Sequence, residues 1–440
     1  MTTRDPTMPV EAVTLRVPEP DQKAAPPGRR PTRAQVLVTA IGLAVFFGPW
    51  VAALGGARST ASFENSKLPS APSVSKGWQF FPLLTTWAND RFPLKDSAVR
   101  LETRLSLDVF GQVPIFGSGA GDSGVGPVGT GGGTTTPTGT VPVIFGRQGV
   151  LFYSVDFERS CHARMSPSHL IKNMNRLAAI VASAGGRLID TVAPDKTSIE
   201  PGLLPSSYPN QSCGRPEQLA FWAAVDATPP SGYVNSYSAV RSLASVTRAQ
   251  VYPQLDTHWM PRAAALYAFG VARLVGPRLL EDTKLVYTGK ESTYGDLSRL
   301  SGDPRMNVYS GYAVSRKGEG PVSQRTGRVG KLGVNIYRAT SSAAPLEAGQ
   351  AVLFGDSFGR VAAPLLTPFF SHLVSANIAS AGDDVADTAQ LIVQSKIVLV
   401  EGVERALATG WDSMLTDKYL NMLSKDVDAD LASHRASTAK

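Results

Sequence analysis

The spacing of apolar residues in the second half of the chain predicts helices that alternate with short strands. In residues 166–186, apolar side chains recur every three or four positions, which is the period of one helix face. Residues 351–354 and 396–400 are instead short, nearly continuous apolar runs, as expected for strands buried on both faces. The alternation predicts an α/β fold, a three-layer sandwich around a mainly parallel sheet.

Turn and cap residues bound the individual elements. Ser166 or Ser168 can cap the helix at 166–186, and the Gly185–Gly186 pair ends it. A turn at 146–149 joins two short strands within 141–153. The remaining predicted elements are strands at 187–194, 351–354 and 396–400 and helices at 260–275 and 359–374.

The most hydrophobic stretch of the chain, residues 34–56, has no charged residue and roughly the length of a bilayer span. Arg29, Arg30 and Arg33 precede it, whereas only Arg58 follows closely. By the positive-inside rule this asymmetry predicts a single transmembrane helix with its N-terminus in the cytoplasm. A cleaved signal peptide is the alternative, although both the apolar run and the preceding tail are long for one.

The other regions differ in composition and define a predicted domain organisation. Residues 1–33 are a disordered cytoplasmic tail, rich in proline, alanine and charge. Residues 57–116 are a juxtamembrane region with a possible helix at 95–109, and 117–140 are a Gly/Thr-rich low-complexity insert. Residues 141–410 form the catalytic domain, and 411–440 are a polar C-terminal tail.

Composition narrows the classes of function. Apolar residues make up 43% of the chain, which is enough for a large core, and the net charge is +7. That surplus is dispersed and no nucleic-acid-binding motif accompanies it, so nucleic acid is not an expected partner. The chain has only five histidines and two cysteines, without metal-ligand spacing, so neither a metal nor another cofactor is expected.

Ser357 lies where chemistry is expected in an α/β fold. The strand at 351–354 runs into Gly355, Asp356 and Ser357, and a helix follows. Ligands bind at the carboxyl ends of strands in such sheets, and a helix N-terminus favours developing negative charge. Ser357 is therefore a candidate nucleophile whose own backbone N–H can serve as an oxyanion donor. The alternative is that Ser357 only caps the helix, a role that Asp356 could fill equally well.

A serine nucleophile needs a base, and His258 is the best candidate among the five histidines. It stands just before a predicted helix, two residues after Asp256 and beside Trp259. An aspartate at this spacing can hold Nδ1–H of the imidazole and leave Nε2 for the serine. His372 is instead expected late in the helix at 359–374, far from the strand ends.

Five short motifs, in order, resemble the alginate O-acetyltransferase (AlgX/AlgJ) family. They are "NDRFPLKD" with the preceding "ENSKL", "VIFGRQGVLFYSVD", "VAPDKTSIEPGLLP", "DTHW" with "GDSF", and "IVLVEGVERAL". The resemblance covers roughly residues 63–407 without the insert. Two departures stand out, since Val150 replaces the family's tryptophan in the opening motif and Met260 begins an atypical segment after "DTHW".

The resemblance implies an SGNH-hydrolase-like domain in which aspartate and histidine precede serine. It assigns Ser357 as nucleophile, His258 as general base and Asp256 as the residue that orients His258. It also implies an extracytoplasmic polysaccharide substrate and a membrane-bound O-acyltransferase that delivers acetyl groups. A carbohydrate acetylesterase with the same triad, or a non-catalytic protein of polysaccharide assembly, are the alternatives.

Cys161 and Cys213 are the only cysteines of the chain. Two buried free thiols are one possibility. A disulfide is favoured if this region lies outside the cytoplasm, where the environment is oxidising.

Overall fold

The computed structural model describes residues 32–54, 143–247, 251–301 and 304–438, together with the single positions 73, 77 and 80. The predicted tail before residue 32, the helix at 95–109 and the insert at 117–140 lie outside the described residues, as does nearly all of the region 57–116.

Contacts divide the chain into two compact units, Met1–Arg58 and Ser59–Lys440. In the first unit, helix α1 spans Arg33–Leu54. Within the described part of the chain, we find no helix that combines the length and the apolar character required to cross a bilayer.

The second unit contains the strands and the remaining helices. The strands are β1 Val143–Phe145, β2 Leu151–Tyr153, β3 Arg187–Ala193, β4 Thr283–Tyr294, β5 Met306–Arg316, β6 Ser323–Val329, β7 Leu332–Arg338, β8 Glu347–Gly355, β9 Phe370–Asn377 and β10 Ile397–Val403. The helices are α2 Val155–Cys161, α3 Pro167–Ser183, α4 Lys196–Ile199, α5 Gln211–Ala227, α6 Ser236–Thr247, α7 Pro261–Val275, α8 Asp296–Leu300, α9 Ser357–Leu366, α10 Ile378–Asp383, α11 Val385–Val393, α12 Glu404–Leu407 and α13 Asp417–Thr438.

Six strands form the central sheet, in the order β3-β10-β8-β9-β7-β6. The first four run parallel, and β7 and β6 add two antiparallel strands at one edge. The sheet is therefore mixed, whereas the apolar runs predicted a mainly parallel one. The antiparallel strands escape detection because neither is a continuous apolar run: residues 323–329 are largely polar and exposed, and 332–338 mix apolar with polar residues.

Helices pack in two groups around this sheet. Helix α7 contacts both α6 and α9, and all three contact the parallel strands. Helices α3, α10, α11 and α13 form the second group. Strand β8 is apolar and buried on both faces because it lies inside the sheet, and its residues 351–354 are at most 1% exposed. This confirms the α/β class, and it places the carboxyl end of β8 between the neighbouring strands β10 and β9.

Most of the elements predicted in the catalytic region are present. Strands β1 and β2 pair antiparallel around the turn at 147–149. Helix α3 begins after Ser166, whose hydroxyl accepts a hydrogen bond from the backbone N–H of His169 at 3.3 Å. Strand β3, helix α7, strand β8 and strand β10 also lie where the apolar pattern predicts them.

The predicted helix at 359–374 is wrong in its second half. Helix α9 ends at Leu366, and Phe370 begins strand β9. Pro368 follows directly in a 3-10 turn, and a proline has no N–H with which to extend a helix. His372 consequently lies on a strand, paired with Arg338 of β7, and not on a helix.

The polar C-terminal segment forms helix α13, which contacts α11 and α3. Although most of its residues are polar, Leu420, Leu423 and Val427 are fully buried. They recur at three- and four-residue intervals and so form one apolar stripe. This helix contributes to the core that surrounds the sheet.

A disulfide joins Cys161 to Cys213, whose Cα atoms lie 5.2 Å apart. It links the end of α2 to the first turn of α5. The contact is helped by Gly214, at which a Cβ would approach the backbone carbonyl oxygen of Phe157 to 2.6 Å. Helices α2 and α5 can therefore pack closely at this point.

Candidate active site

Ser357 is the first residue of helix α9, directly after strand β8 and Asp356. Strand and helix approach closely at this turn, because a Cβ on Gly355 would lie 3.1 Å from Cα of Gly359. Ser357 is 4% exposed, and its Oγ has no hydrogen-bond partner among the described residues. A buried hydroxyl without a partner is unusual unless a substrate or a base uses it.

Asp356, not Ser357, caps helix α9. Its Oδ1 accepts a hydrogen bond from the backbone N–H of Phe358 at 2.7 Å, and its Oδ2 accepts one from the backbone N–H of Val403 at 2.7 Å. Asp356 thus satisfies the helix N-terminus and ties it to the end of β10. The cap explanation for Ser357 is therefore unnecessary, and its hydroxyl remains available for chemistry.

The imidazole of His258 is held by Asp256. Nδ1 of His258 lies 2.7 Å from Oδ1 of Asp256, which also accepts the backbone N–H of His258 at 2.9 Å. A carboxylate acceptor at Nδ1 places the proton of the neutral ring there and leaves Nε2 as the free base. This is the arrangement that the Asp-x-His spacing predicted.

The two groups shift each other's pKa in opposite directions. Burial alone would lower the pKa of His258, but the hydrogen bond and charge of Asp256, with the nearby charge of Asp296, raise it above its usual 6.5. Burial likewise acts to raise the pKa of Asp256, yet its bonds to His258 outweigh this and lower it. The pair is thus arranged to stabilise an imidazolium next to a carboxylate.

Asp296 is a second acidic side chain beside His258 that the sequence did not reveal. Its backbone N–H donates to Oδ2 of Asp256 at 3.2 Å, and its Oδ2 lies 3.5 Å from Nδ1 of His258. Its carboxylate also accepts the backbone N–H and the hydroxyl of Thr257, at 2.9 Å and 2.5 Å. Burial, followed by the charge of Asp256, raises the pKa of Asp296.

The same three side chains define the one metal-like cluster found in the described part of the chain. One atom each of Asp256, His258 and Asp296 lies within 4.8 Å of the others, a spacing that a divalent cation could bridge. The hydrogen bond of His258 to Asp256, and those that tie Asp296 to Thr257 and to Asp256, account for the close approach, however. We therefore interpret the cluster as a proton-transfer site.

Residues 251–260, which carry His258, form the histidine loop, and residues 355–358, which carry Ser357, form the serine turn. The two are in contact through Trp259 and Phe358. The indole N–H of Trp259 donates to the carbonyl of Phe358 at 3.1 Å, and the ring of His258 lies 5.1 Å from the ring of Phe358. These contacts bring His258 to the turn that carries Ser357. Ser357 Oγ does not hydrogen-bond to His258 here, as is common before substrate binds.

A buried cluster of charged side chains, centred on Arg405, packs against Phe358 of the turn that carries Ser357. Arg405 of α12 donates from its backbone N–H to Asp195 at 2.8 Å and from Nη1 to both Asp195 and Asp156, at 3.3 Å for the latter. Its guanidinium carbon lies 5.5 Å from the ring of Phe358. The Asp-Lys motif at 195–196 and the Glu-Arg motif at 404–405 are therefore parts of one structure.

The other histidines do not share this environment. His169 is exposed and pairs with Asp417 at 2.9 Å. His372 lies half-buried on β9, where burial and then the charges of Arg338 and Arg325 lower its pKa. His162 is exposed after α2, and the side chain of His434 lies outside the described residues.

This domain is similar to a family of known proteins. Residues 143–392 match a family model described as "SGNH hydrolase-like domain, acetyltransferase AlgX". No match was found among curated proteins.

Several solved structures are similar. The O-acetyltransferase domain of AlgJ from Pseudomonas putida is 14% identical, with a TM-score of 0.42, over 64% of this chain and 98% of that one. PatB1 from Bacillus cereus is 12% identical, with a TM-score of 0.41, over 63% and 98%. AlgX from Pseudomonas aeruginosa is 14% identical, with a TM-score of 0.41, over 65% and 66%.

Proposed function

Because the chain belongs to the AlgX family of SGNH hydrolase-like acetyltransferases and is therefore an acyltransferase, we propose that it transfers acetyl groups to hydroxyls of a polysaccharide. The observation that carries this proposal is the buried hydroxyl of Ser357 at a helix N-terminus, without a hydrogen-bond partner among the described residues. The next residue, Phe358, contacts the ring of His258, which Asp256 holds. Such a group can accept an acyl chain and pass it on, with no need of a cofactor.

In the first half-reaction, Nε2 of His258 takes the proton of Ser357 as Oγ attacks the acetyl carbonyl. Negative charge then develops on the carbonyl oxygen, where the backbone N–H of Ser357 and the N-terminus of α9 stabilise it. Collapse expels the donor's alkoxide, which takes the proton from His258. An acetyl ester of Ser357 remains.

In the second half-reaction, a sugar hydroxyl replaces the donor. His258 removes the proton of this hydroxyl, and the oxygen attacks the acetyl-serine carbonyl. Ser357 leaves and recovers its proton from His258, so the enzyme returns to its starting state and the sugar carries the acetyl group. Water in place of the sugar would give hydrolysis, which is the acetylesterase alternative.

The residue test uses a small chromogenic acetyl ester, which needs the acyl-transfer machinery and no polymer site. We expect Ser357→Ala and His258→Ala each to lose a factor on the order of 10³ or more in kcat, because members of such a unit act together. Ser371→Ala, at a half-buried serine of β9, is the matched control. Full activity of Ser357→Ala would contradict the proposed nucleophile.

The acceptor test distinguishes transfer from hydrolysis. With neutral and acidic oligosaccharides added, the wild-type protein should divert acetyl from water to sugar, which mass spectrometry detects as one added acetyl group per event. A Ser357-dependent esterase that acetylates none of these oligosaccharides would favour the hydrolase.

We also propose that the domain works outside the cytoplasm, on an N-terminal membrane anchor at 34–56, with a membrane-bound O-acyltransferase as acetyl donor partner. The disulfide between Cys161 and Cys213 supports an oxidising compartment. The anchor rests on the uncharged stretch and the arginines before it. Protease added to spheroplasts should remove a tag at the C-terminus, and a protected tag would contradict this topology.

A further inference from the structure

Lys196 is a buried cation that the proposed reaction does not use. It is the first residue of α4 and is 2% exposed. Its Nζ donates to the backbone carbonyls of Pro253, Gln254 and Asp256, at 2.6 Å, 3.0 Å and 3.2 Å. All three acceptors belong to the loop that leads into His258.

Other hydrogen bonds also hold this loop, among them those of Thr257 to Asp296 and of Trp259 to Phe358. The carbonyl of Gln254 also accepts the backbone N–H of Leu151 at 2.8 Å, and the backbone N–H of Leu255 donates to the side chain of Asn307 at 3.0 Å. Leu151 and Asn307 each make one hydrogen bond to the loop, and each belongs to another element. Lys196 instead joins three carbonyls of the loop backbone, within four residues, through one atom.

Burying an ammonium is costly unless its charge and its hydrogen bonds are matched. Here three N–H bonds meet three carbonyl oxygens, and the ring of Phe152 lies 5.5 Å from Nζ. The charged groups that act on it are Glu200 of its own segment, Asp256 of the loop, Asp296 of α8 and Asp156 of α2. Lys196 is thus the positive centre among four acidic side chains.

We propose that Lys196 is a positioning residue for the Asp256–His258 pair: its ammonium fixes the loop backbone so that the imidazole stays at the serine turn. The inference rests on the proposed function, since it takes Asp256 and His258 as members of the reacting unit. It also gives a role to the Asp-Lys motif at 195–196. Asp195 of that motif holds Arg405, and Lys196 holds the histidine loop.

Titration of Lys196 makes the proposal measurable. Burial lowers the pKa of Lys196 from 10.5 to about 8. A neutral amine has two N–H bonds and a lone pair, so one of the three carbonyls then loses its donor and faces a lone pair. Activity should therefore decline as the pH rises through about 8.

The free energy of unfolding should not decline together with the activity. Between this pKa and 10.5 the unfolded lysine holds a proton that the folded one has lost, so the free energy of unfolding gains from this group as the pH rises. An alkaline loss of activity that accompanies unchanged or greater stability separates a positioning role from a merely structural one.

The experiment compares Lys196→Met, Lys196→Arg and the control Lys172→Met, which changes an exposed lysine of α3. The readout is kcat and KM for a small acetyl ester from pH 6 to pH 10. We expect Lys196→Met to lose a factor on the order of 10 to 100 in kcat with little change in KM, since a small misplacement of a reacting group has such an effect. The arginine of Lys196→Arg keeps its charge over this pH range, so the kcat of this variant should not decline at alkaline pH. Lys172→Met should match the wild type.

The proton on Nδ1 of His258 gives a second readout that requires no turnover. In the hydrogen bond to Asp256 it should produce a downfield proton resonance in the wild type and in Lys172→Met, and a weaker one in Lys196→Met. If Lys196→Met does not fold, the pH profile and the resonance of Lys196→Arg carry the test.

Two results would overturn the proposal. One is a Lys196→Met protein with the kcat and the His258 resonance of the wild type. The other is an alkaline decline that persists unchanged in Lys196→Arg. Failure of the proposed function is distinguishable, because a protein that acetylates no sugar but cleaves the ester through Ser357 still reports on Lys196.

Discussion

At the scale of single residues, the sequence singles out the candidate residues more readily than the side chains that surround them. Ser357, His258 and Asp256 stand out because each occupies a position with a chemical meaning, at a turn or two residues from a partner. Asp296 gives no such signal, since it lies 38 residues after His258 in the sequence, at the start of helix α8, and approaches it only in the folded protein. Lys196 belongs to a recognisable motif, but its bonds to three carbonyls depend on tertiary structure.

The two aspartates should contribute differently to catalysis. Asp256→Asn leaves a side chain that can donate to Nδ1 and so favours the wrong tautomer of His258, with an expected loss on the order of 10³ to 10⁴ in kcat. Asp296→Asn removes a charge that raises the pKa of His258, while Asp256 remains. The acidic limb of the kcat/KM profile should therefore move to lower pH in Asp296→Asn, with a smaller loss of rate.

The pH profile of kcat/KM on a small acetyl ester measures both effects. Asp428→Asn, an exposed change on α13, is the control. An acidic limb at the wild-type position in Asp296→Asn would show that this carboxylate does not act on His258.

At the scale of elements, the apolar pattern predicts the buried strands of the sheet but not the more exposed strands. Residues 351–354 of β8 and 397–400 of β10 are continuous apolar runs, and β3 is buried after its first residue. Strands β4 and β5 form a ribbon in which most residues of β4 are exposed and neither strand alternates strictly. The end of α9 was misjudged because the apolar residues after Pro368 fit a helix and a strand equally well. Only the pairing of β9 with β8 and β7 decides between them.

The close packing of α9 on the sheet gives a prediction for Gly359. A Cβ at this position would lie 2.6 Å from Oε2 of Glu401, a fully buried side chain of β10. Gly359→Ala must therefore shift either Glu401 or the helix that begins at Ser357. We expect a loss of about 1–3 kcal/mol in the free energy of unfolding, together with reduced esterase activity.

Denaturant unfolding and ester kinetics measure these changes. Gly333→Ala on β7 is the matched control, because a Cβ there would meet nothing within 4 Å. A Gly359→Ala protein as stable and as active as the wild type would mean that the turn tolerates the added methyl group.

At the scale of the whole molecule, stability should depend on pH through Asp190. This residue of β3 is 1% exposed, and neither carboxylate oxygen has a hydrogen-bond partner among the described residues. Burial raises its pKa from 3.8 to about 8. Between these values the folded protein binds a proton that the unfolded chain has lost, so this group's contribution to stability falls as the pH rises.

Asp190→Asn should remove that dependence. Each pH unit between about 4 and 8 changes the free energy of unfolding by roughly 1.4 kcal/mol for one such proton. The curve of unfolding free energy against pH should therefore be flatter in Asp190→Asn than in the wild type, by urea unfolding at several pH values. Parallel curves for the two proteins, with Asp428→Asn as reference, would show that Asp190 is not protonated in the folded state.

The position of β10 has a consequence for how the chain acquires its activity. This strand lies between β3 and β8, yet it is the last strand to be synthesised. Until residues 397–403 emerge, β3 has no partner in the sheet, and Val403 cannot hold Asp356 at the serine turn. Contacts of such long sequence separation form slowly. The nascent chain therefore contains His258 and Ser357 well before the contacts around Ser357 are complete, and we expect esterase activity to appear only after residues 397–403 have been added.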